Sequence, residues 1–161
     1  MNNNWQEYIY TQLNRGSYLW ARQCCSYNDE HAKEVMQMVY LKLLEGKATY
    51  NGKANLKTWF FSVIRFTAID FLKQLPTHIS IEDVELNVTE SSESEVYSDN
   101  YLEILTQLPD RQHQVLLLVF YHNLKLHEVA EVLNIGIGSV RTHYDRGKKK
   151  LKALLTKEMA L

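Results

Sequence analysis

The sequence predicts an all-α fold in which two small helical domains, residues 1–75 and 101–161, are joined by an acidic flexible linker, residues 76–100. Three observations carry this expectation. Apolar residues recur three or four apart in several long stretches, the spacing that lines one face of a helix. Charge is divided along the chain in a way that the net value of −1 conceals: residues 1–75 hold nine Lys/Arg against six Asp/Glu, residues 76–100 hold seven acids and no Lys or Arg, and residues 101–161 hold nine bases against six acids. Finally, 161 residues with 45% hydrophobic content supply enough core for one modest domain or two small ones.

The first domain opens with a helix from Trp5 to about Ser26. Asn28 then stands as a cap, with Asp29 and Glu30 in the first turn and Val35, Met38, Val39, Tyr40, Leu43 and Leu44 following at helical spacing. Gly46 sits where this helix ends, and GKATYNGKANLK reads as a loop. The next stretch, LKTWFFSVIRFTAIDFLKQL, is closed by Pro76. It places Trp59, Val63, Phe66, Ile69 and Leu72 or Lys73 on one stripe of a long, largely buried helix, with Arg65, Asp70 and Lys73 at its edges. These segments make a bundle of three or four helices.

The segment THISIEDVELNVTESSESEVYSDN has five serines, seven acids and few apolar residues, so it buries little and is expected to be a tether. Ile79 and Ile81 alternate as in a strand but have no pairing partner. Beyond it, LPDRQHQVLLLVFYHN opens a helix with Pro109 and Asp110, and KLHEVAEVLN forms a second, amphipathic one. A third runs from about Gly138 to Thr156 with Val140, Tyr144, Gly147, Leu151 and Leu154 or Leu155 on its apolar stripe.

Several function classes are disfavoured. The longest apolar run, Val115 to Tyr121, is far short of the roughly 20 residues of a spanning helix, and no basic segment followed by an apolar one opens the chain, so it reads as cytoplasmic. The adjacent Cys24 and Cys25 are poorly placed to staple the fold or to hold half a metal site, and are read as semi-buried helix surface. There is no phosphate-binding glycine loop, nucleophile elbow or HExxH motif, and His113, His122, His127 and His143 are spread over several helices. No enzymatic activity, cofactor, metal or small-molecule substrate is expected.

The informative spacing lies in LHEVAEVLNIGIGSVRTHYDRGKKKLKAL. Ala130 falls where two helices approach closely, Asn134 where a tight turn needs a left-handed residue, and Val140 ten residues after the alanine, where it plugs the second helix into the first. That is the pattern of a helix-turn-helix. With Val140, Tyr144, Gly147 and Leu151 inward, the opposite face carries Ser139, Arg141, Thr142, Asp145, Arg146, Lys148 and Lys149. Early outward side chains of such a helix reach base edges, and the later lysines suit phosphates. His143 is open to either phosphate contact or local packing. The seven bases between residues 141 and 157 suit a salt-dependent grip on DNA.

At this point the sequence resembles the extracytoplasmic-function sigma factors of bacteria. LPDRQHQVLLLVFYHNLKLHEVAEVLNIGIGSVRTHYDRGKKKLKALL is similar to the family's C-terminal domain, which reads the minus 35 promoter element; EVMQMVYLKLLEG with LKTWFFSVIRFTAIDFLKQ is similar to its N-terminal domain, which grips core RNA polymerase and melts the minus 10 element. The resemblance implies that Ser139, Arg141, Thr142, His143, Arg146 and Lys149 contact the minus 35 element. It implies that Glu34, Gln37, Met38 and Leu41 dock on the β′ subunit, with β a further contact; the residues themselves supply, for the minus 10 strand, a basic and aromatic set of Tyr50 with Lys47, Lys53 and Lys57 in the loop and Phe60, Phe61 and Arg65 on the helix, suited to hold an extruded base. Met38 stands where the family commonly has an acid, Phe66 where it often has Asn, and Gly136, His143 and Asp145 where it more often has Ser, Arg and His. The linker would thread through the polymerase toward the RNA path. An anti-sigma partner, often membrane-anchored, is also implied. The alternative reading is a stand-alone helix-turn-helix regulator whose N-terminal helices dimerise or sense a ligand.

Overall fold

A computed structural model describes residues 4–76 and 103–159, and every element among them is helical. The chain divides into two compact units, Met1–Glu93 and Ser94–Leu161. Apart from Pro76, the expected linker and its Ile79 and Ile81 lie outside the described residues. No described helix is long and apolar enough to cross a membrane.

In the first unit, Asn4–Tyr8, a π-helical turn Ile9–Leu13 and Asn14–Cys24 run on as one helix, α1. It carries the largest core side chain, Trp20, whose ring stacks on Phe61 at 5.9 Å and 5°. Its indole Nε1 donates to the Phe61 carbonyl at 3.1 Å, so the one polar atom of a fully buried ring is satisfied. Ser26 and Tyr27, at φ 55° and 63°, turn the chain into α2, Asp29–Leu44. As expected, the Asn28 side chain caps α2 by accepting from the His31 amide at 3.0 Å. Asp29 also receives the Tyr18 hydroxyl at 2.8 Å and pairs with Arg22 at 3.1 Å, fastening α2 back onto α1.

α2 buries Ala32, Val35, Met36, Val39 and Leu43. The predicted stripe is corrected at one end: Leu44 is 72% exposed, while Met38 and Tyr40 are half-buried. The Asn55 side chain caps α3, Leu56–Gln74, by accepting from the Lys57 amide at 2.9 Å, and Leu75 turns extended before Pro76. The stripe predicted for α3 is out of phase by one position. Its buried residues are Thr58, Phe60, Phe61, Ile64, Thr67 and Ala68, whereas Trp59, Val63 and Ile69 are half-buried and Phe66 is 48% exposed. Three mutually packed helices form this unit.

In the second unit, Ile104, Leu105 and Leu108 are buried ahead of α4, Asp110–Leu116, which continues as a π-helical turn, Leu117–Tyr121. Val115, Leu116, Leu117 and Leu118 bury four consecutive side chains across the junction of α4 and the turn. α5, Leu126–Leu133, starts with the Glu128 carboxylate accepting from the Lys125 amide at 2.9 Å. α6, Ile137–Met159, packs on both α4 and α5.

Candidate nucleic-acid interface

The joint between α5 and α6 fixes which side chains face outward. Asn134 adopts the left-handed conformation, φ 55° and ψ 47°, and the Ile135 amide donates to the Ala130 carbonyl at 3.1 Å, closing α5. Three residues into α6, Val140 is fully buried. Further on, Gly147 lies so close to α4 that a Cβ there would stand 3.1 Å from Leu116 Cδ1 and 3.3 Å from Gln112 Cβ. With Leu151 also buried, α6 has a single packed line through Val140, Gly147 and Leu151.

Opposite that line, at about 100° per residue, lie Thr142, Asp145 and Lys149. All three are exposed, as are Ser139, Arg141 and Arg146 to either side. The structure thus brings five of the six residues expected at the minus 35 element onto one open face. The sixth, His143, is half-buried and turned toward the packed side. The Thr142 hydroxyl donates back to the Gly138 carbonyl at 3.0 Å, leaving its oxygen lone pairs and methyl to the outside. Lys148, read from sequence as part of this face, bends to the side: its Nζ stands 4.6 Å from the centre of the Tyr144 ring, itself stacked on Phe120 at 6.0 Å.

On α2, Glu34, Gln37 and Leu41 stand exposed and Met38 is half-buried beside them. Leu41 is 55% exposed and is continued by Leu44, so an acidic and polar start passes into an apolar end on one helix face. Spacing had assigned Leu44 to the core, so its part in this surface was missed.

The group expected near minus 10 is brought together only in part. Tyr50 packs among Trp5 and Trp59, with ring centres 6.1 and 5.5 Å away, and its hydroxyl donates to the Ala54 carbonyl. Lys53 is exposed beside it, and Arg65 is half-buried. Lys57 is half-buried, its Nζ 5.9 Å from the centre of the Phe61 ring. Phe60 and Phe61 are fully buried, so neither can stack on a base. This corrects the expectation for Phe60, and its cause is the phase of α3: the exposed aromatic is Phe66, with Trp59 half-buried on the same side against Trp5 and Tyr50.

The cysteines are free thiols at the end of α1; burial pushes Cys25 up to about 11 and raises Cys24 well above the ordinary thiol range. Such thiols are poor nucleophiles and ligands at neutral pH. Among the described residues, no group of three or more His, Cys, Asp or Glu is placed to hold a metal ion.

Comparison with known proteins is consistent with this geometry. The chain matches the family Sigma-70 region 2 over residues 9–75 and the family Sigma-70, region 4 over residues 98–151. It is 30% identical over 132 residues to RNA polymerase sigma factor SigV of Bacillus subtilis, covering 81% of this chain and 80% of that protein. ECF RNA polymerase sigma factor SigX of Bacillus subtilis is 28% identical over 132 residues, 74% of this chain and 68% of that protein. The chain is an RNA polymerase sigma factor of the extracytoplasmic-function type. As a sigma factor it directs promoter-specific initiation, so the helix-turn-helix serves that role rather than a stand-alone regulator's. The fold is also that of a solved sigma factor: a co-crystal structure of RpoE with the anti-sigma factor NepR from Bartonella quintana matches at a TM-score of 0.67 and 15% identity, over 94% of this chain and 95% of that one.

Proposed function

We propose that the two units of this sigma factor divide its work, the first holding core polymerase and the minus 10 element and the second reading the minus 35 element. The observation that carries the second assignment is the register of α6, whose buried Val140, Gly147 and Leu151 leave Thr142, Arg146 and Lys149 outward together. Arg141 and Ser139 border this face and reach bases or sugar-phosphate at its margins, while Lys149 sits farther along and neutralises phosphate.

For the first unit, the exposed Gln37, Leu41 and Leu44 support a docking surface for the β′ subunit, with Glu34 at its rim. Lys53 and Arg65, with the exposed Phe66 and the half-buried Tyr50 and Trp59, serve the melted minus 10 strand, because aromatic faces hold unstacked bases whatever their identity. Control by an anti-sigma factor fits the same surface: apolar side chains at Leu41 and Leu44 that bind β′ are a site that a competitor can cover. Run-off transcription with core polymerase tests the whole assignment. Wild-type protein yields initiation at its promoters and Leu41→Glu does not, whereas initiation undiminished by Leu41→Glu removes α2 from the polymerase interface.

A further inference from the structure

An acid, Asp145, stands within the outward line of α6. Asp145 is exposed and lies with Thr142 and Lys149 on the side of α6 opposite its packed residues, closer to the centre of that face than Arg141 or Ser139. Its neighbours are cations: Arg141 four residues before, Arg146 beside it, Lys148 and Lys149 three and four after. On a helix these spacings commonly form ion pairs, yet among the described residues Asp145 forms none, and Lys148 is drawn instead onto the Tyr144 ring. The carboxylate is therefore left facing outward with all its acceptor positions open.

A carboxylate at the centre of a surface that meets a polyanion is unfavourable beside phosphates and requires a hydrogen-bond donor. In the major groove the choice of donor is narrow. Guanine presents only acceptors, thymine an acceptor and a methyl group, and adenine an amino group beside the N7 acceptor, which repels a carboxylate; cytosine alone offers an amino donor with no acceptor on its edge.

We propose that Asp145 is a specificity-determining residue that accepts a hydrogen bond from the exocyclic amino group of a cytosine in the minus 35 element. The proposal rests on α6 being the minus 35 reader, and it adds an acid to a readout otherwise built from Arg, Lys, Ser and Thr. It also explains how a strongly basic helix avoids binding every sequence alike, since at any site without the cytosine the acid meets an acceptor or a phosphate.

The test uses the full chain assembled with core polymerase and a promoter that the holoenzyme initiates from, with every single base-pair substitution across its upstream element. Wild type, Asp145→Ala, Asp145→Asn and Arg141→Ala are compared in binding. Wild type prefers C·G by about fivefold to tenfold at one position. Asp145→Ala loses that preference alone, and Asp145→Asn moves it toward A·T, because an amide can pair with both adenine N6 and N7. If Asp145→Ala keeps every preference and binds all sequences more tightly by the same factor, the acid acts only by repelling phosphate and the proposal is overturned. If Arg141→Ala also leaves every preference unchanged, the assignment of α6 falls with it.

Discussion

At Asn134 the backbone is held in a conformation that costs an ordinary L-residue roughly 1–2 kcal/mol, and the short Asn side chain reduces that cost. Asn134→Ala is expected to lower the stability of the second unit by about 1 kcal/mol and Asn134→Gly to leave it unchanged or raised, as read by urea unfolding. A loss in Gly as large as that in Ala would mean that the Asn side chain rather than the φ angle matters. Gly147 is constrained by space, not by φ. A valine there drives branched carbons into Leu116 and Gln112, so Gly147→Val costs about 1–3 kcal/mol. Asn134 was readable in the sequence for a physical reason, since a left-handed turn admits few residue types; Gly147 was read only as part of the apolar stripe, and its close approach to α4 came from the structure.

Whole helices were legible to different degrees. α2 was readable at its start because Asn28, Asp29 and Glu30 form a cap and an acidic first turn, and α5 because Val129, Val132 and Leu133 recur three and four apart among polar residues. α3 was found as a helix and mis-phased as a packing element. It has bulky apolar residues on most faces, so two stripes one position apart both satisfy the spacing, and the buried one includes Thr58, Thr67 and Ala68, which hydropathy does not favour. Thr67 is tolerated inside because its hydroxyl donates to the Val63 carbonyl at 2.7 Å and accepts from Lys42 Nζ at 2.8 Å. The π turns in α1 and α4 left no sequence signal, since a single widened turn does not alter a spacing counted over a dozen residues. α4 carries a pH dependence. Burial lowers His113 from 6.5 to about 4, so the unfolded chain binds a proton that the folded one refuses. Its contribution is complete above about pH 6.5 and is lost as the pH falls toward 4, on the order of 3 kcal/mol in total. Thermal melting of wild type against His113→Gln between pH 7 and 4 should show the difference closing on acidification, and parallel curves would refute it.

For the molecule as a whole, two units on one chain make simultaneous engagement of two promoter elements an intramolecular matter, so weak contacts in each sum to a useful grip. Charge and helical spacing together pointed to two units in the sequence, and the structure divides into two, at Glu93/Ser94, within the stretch read as the acidic linker. On the proposal that Lys149 neutralises phosphate, Lys149→Ala should lower promoter affinity evenly across sequences and reduce the slope of log affinity against log salt by about 0.9. An unchanged slope places Lys149 away from phosphate. The paired cysteines add a consequence of another kind. Both thiols of the chain lie in the first unit, Cys25 buried and Cys24 half-buried, and burial raises both above the ordinary thiol range. A thiol-specific reagent will therefore reach Cys25 only when that unit opens, while the half-buried Cys24 sets the folded-state background, which makes Cys25 a built-in clock for unfolding of the first unit, blind to the second and available without any engineered label.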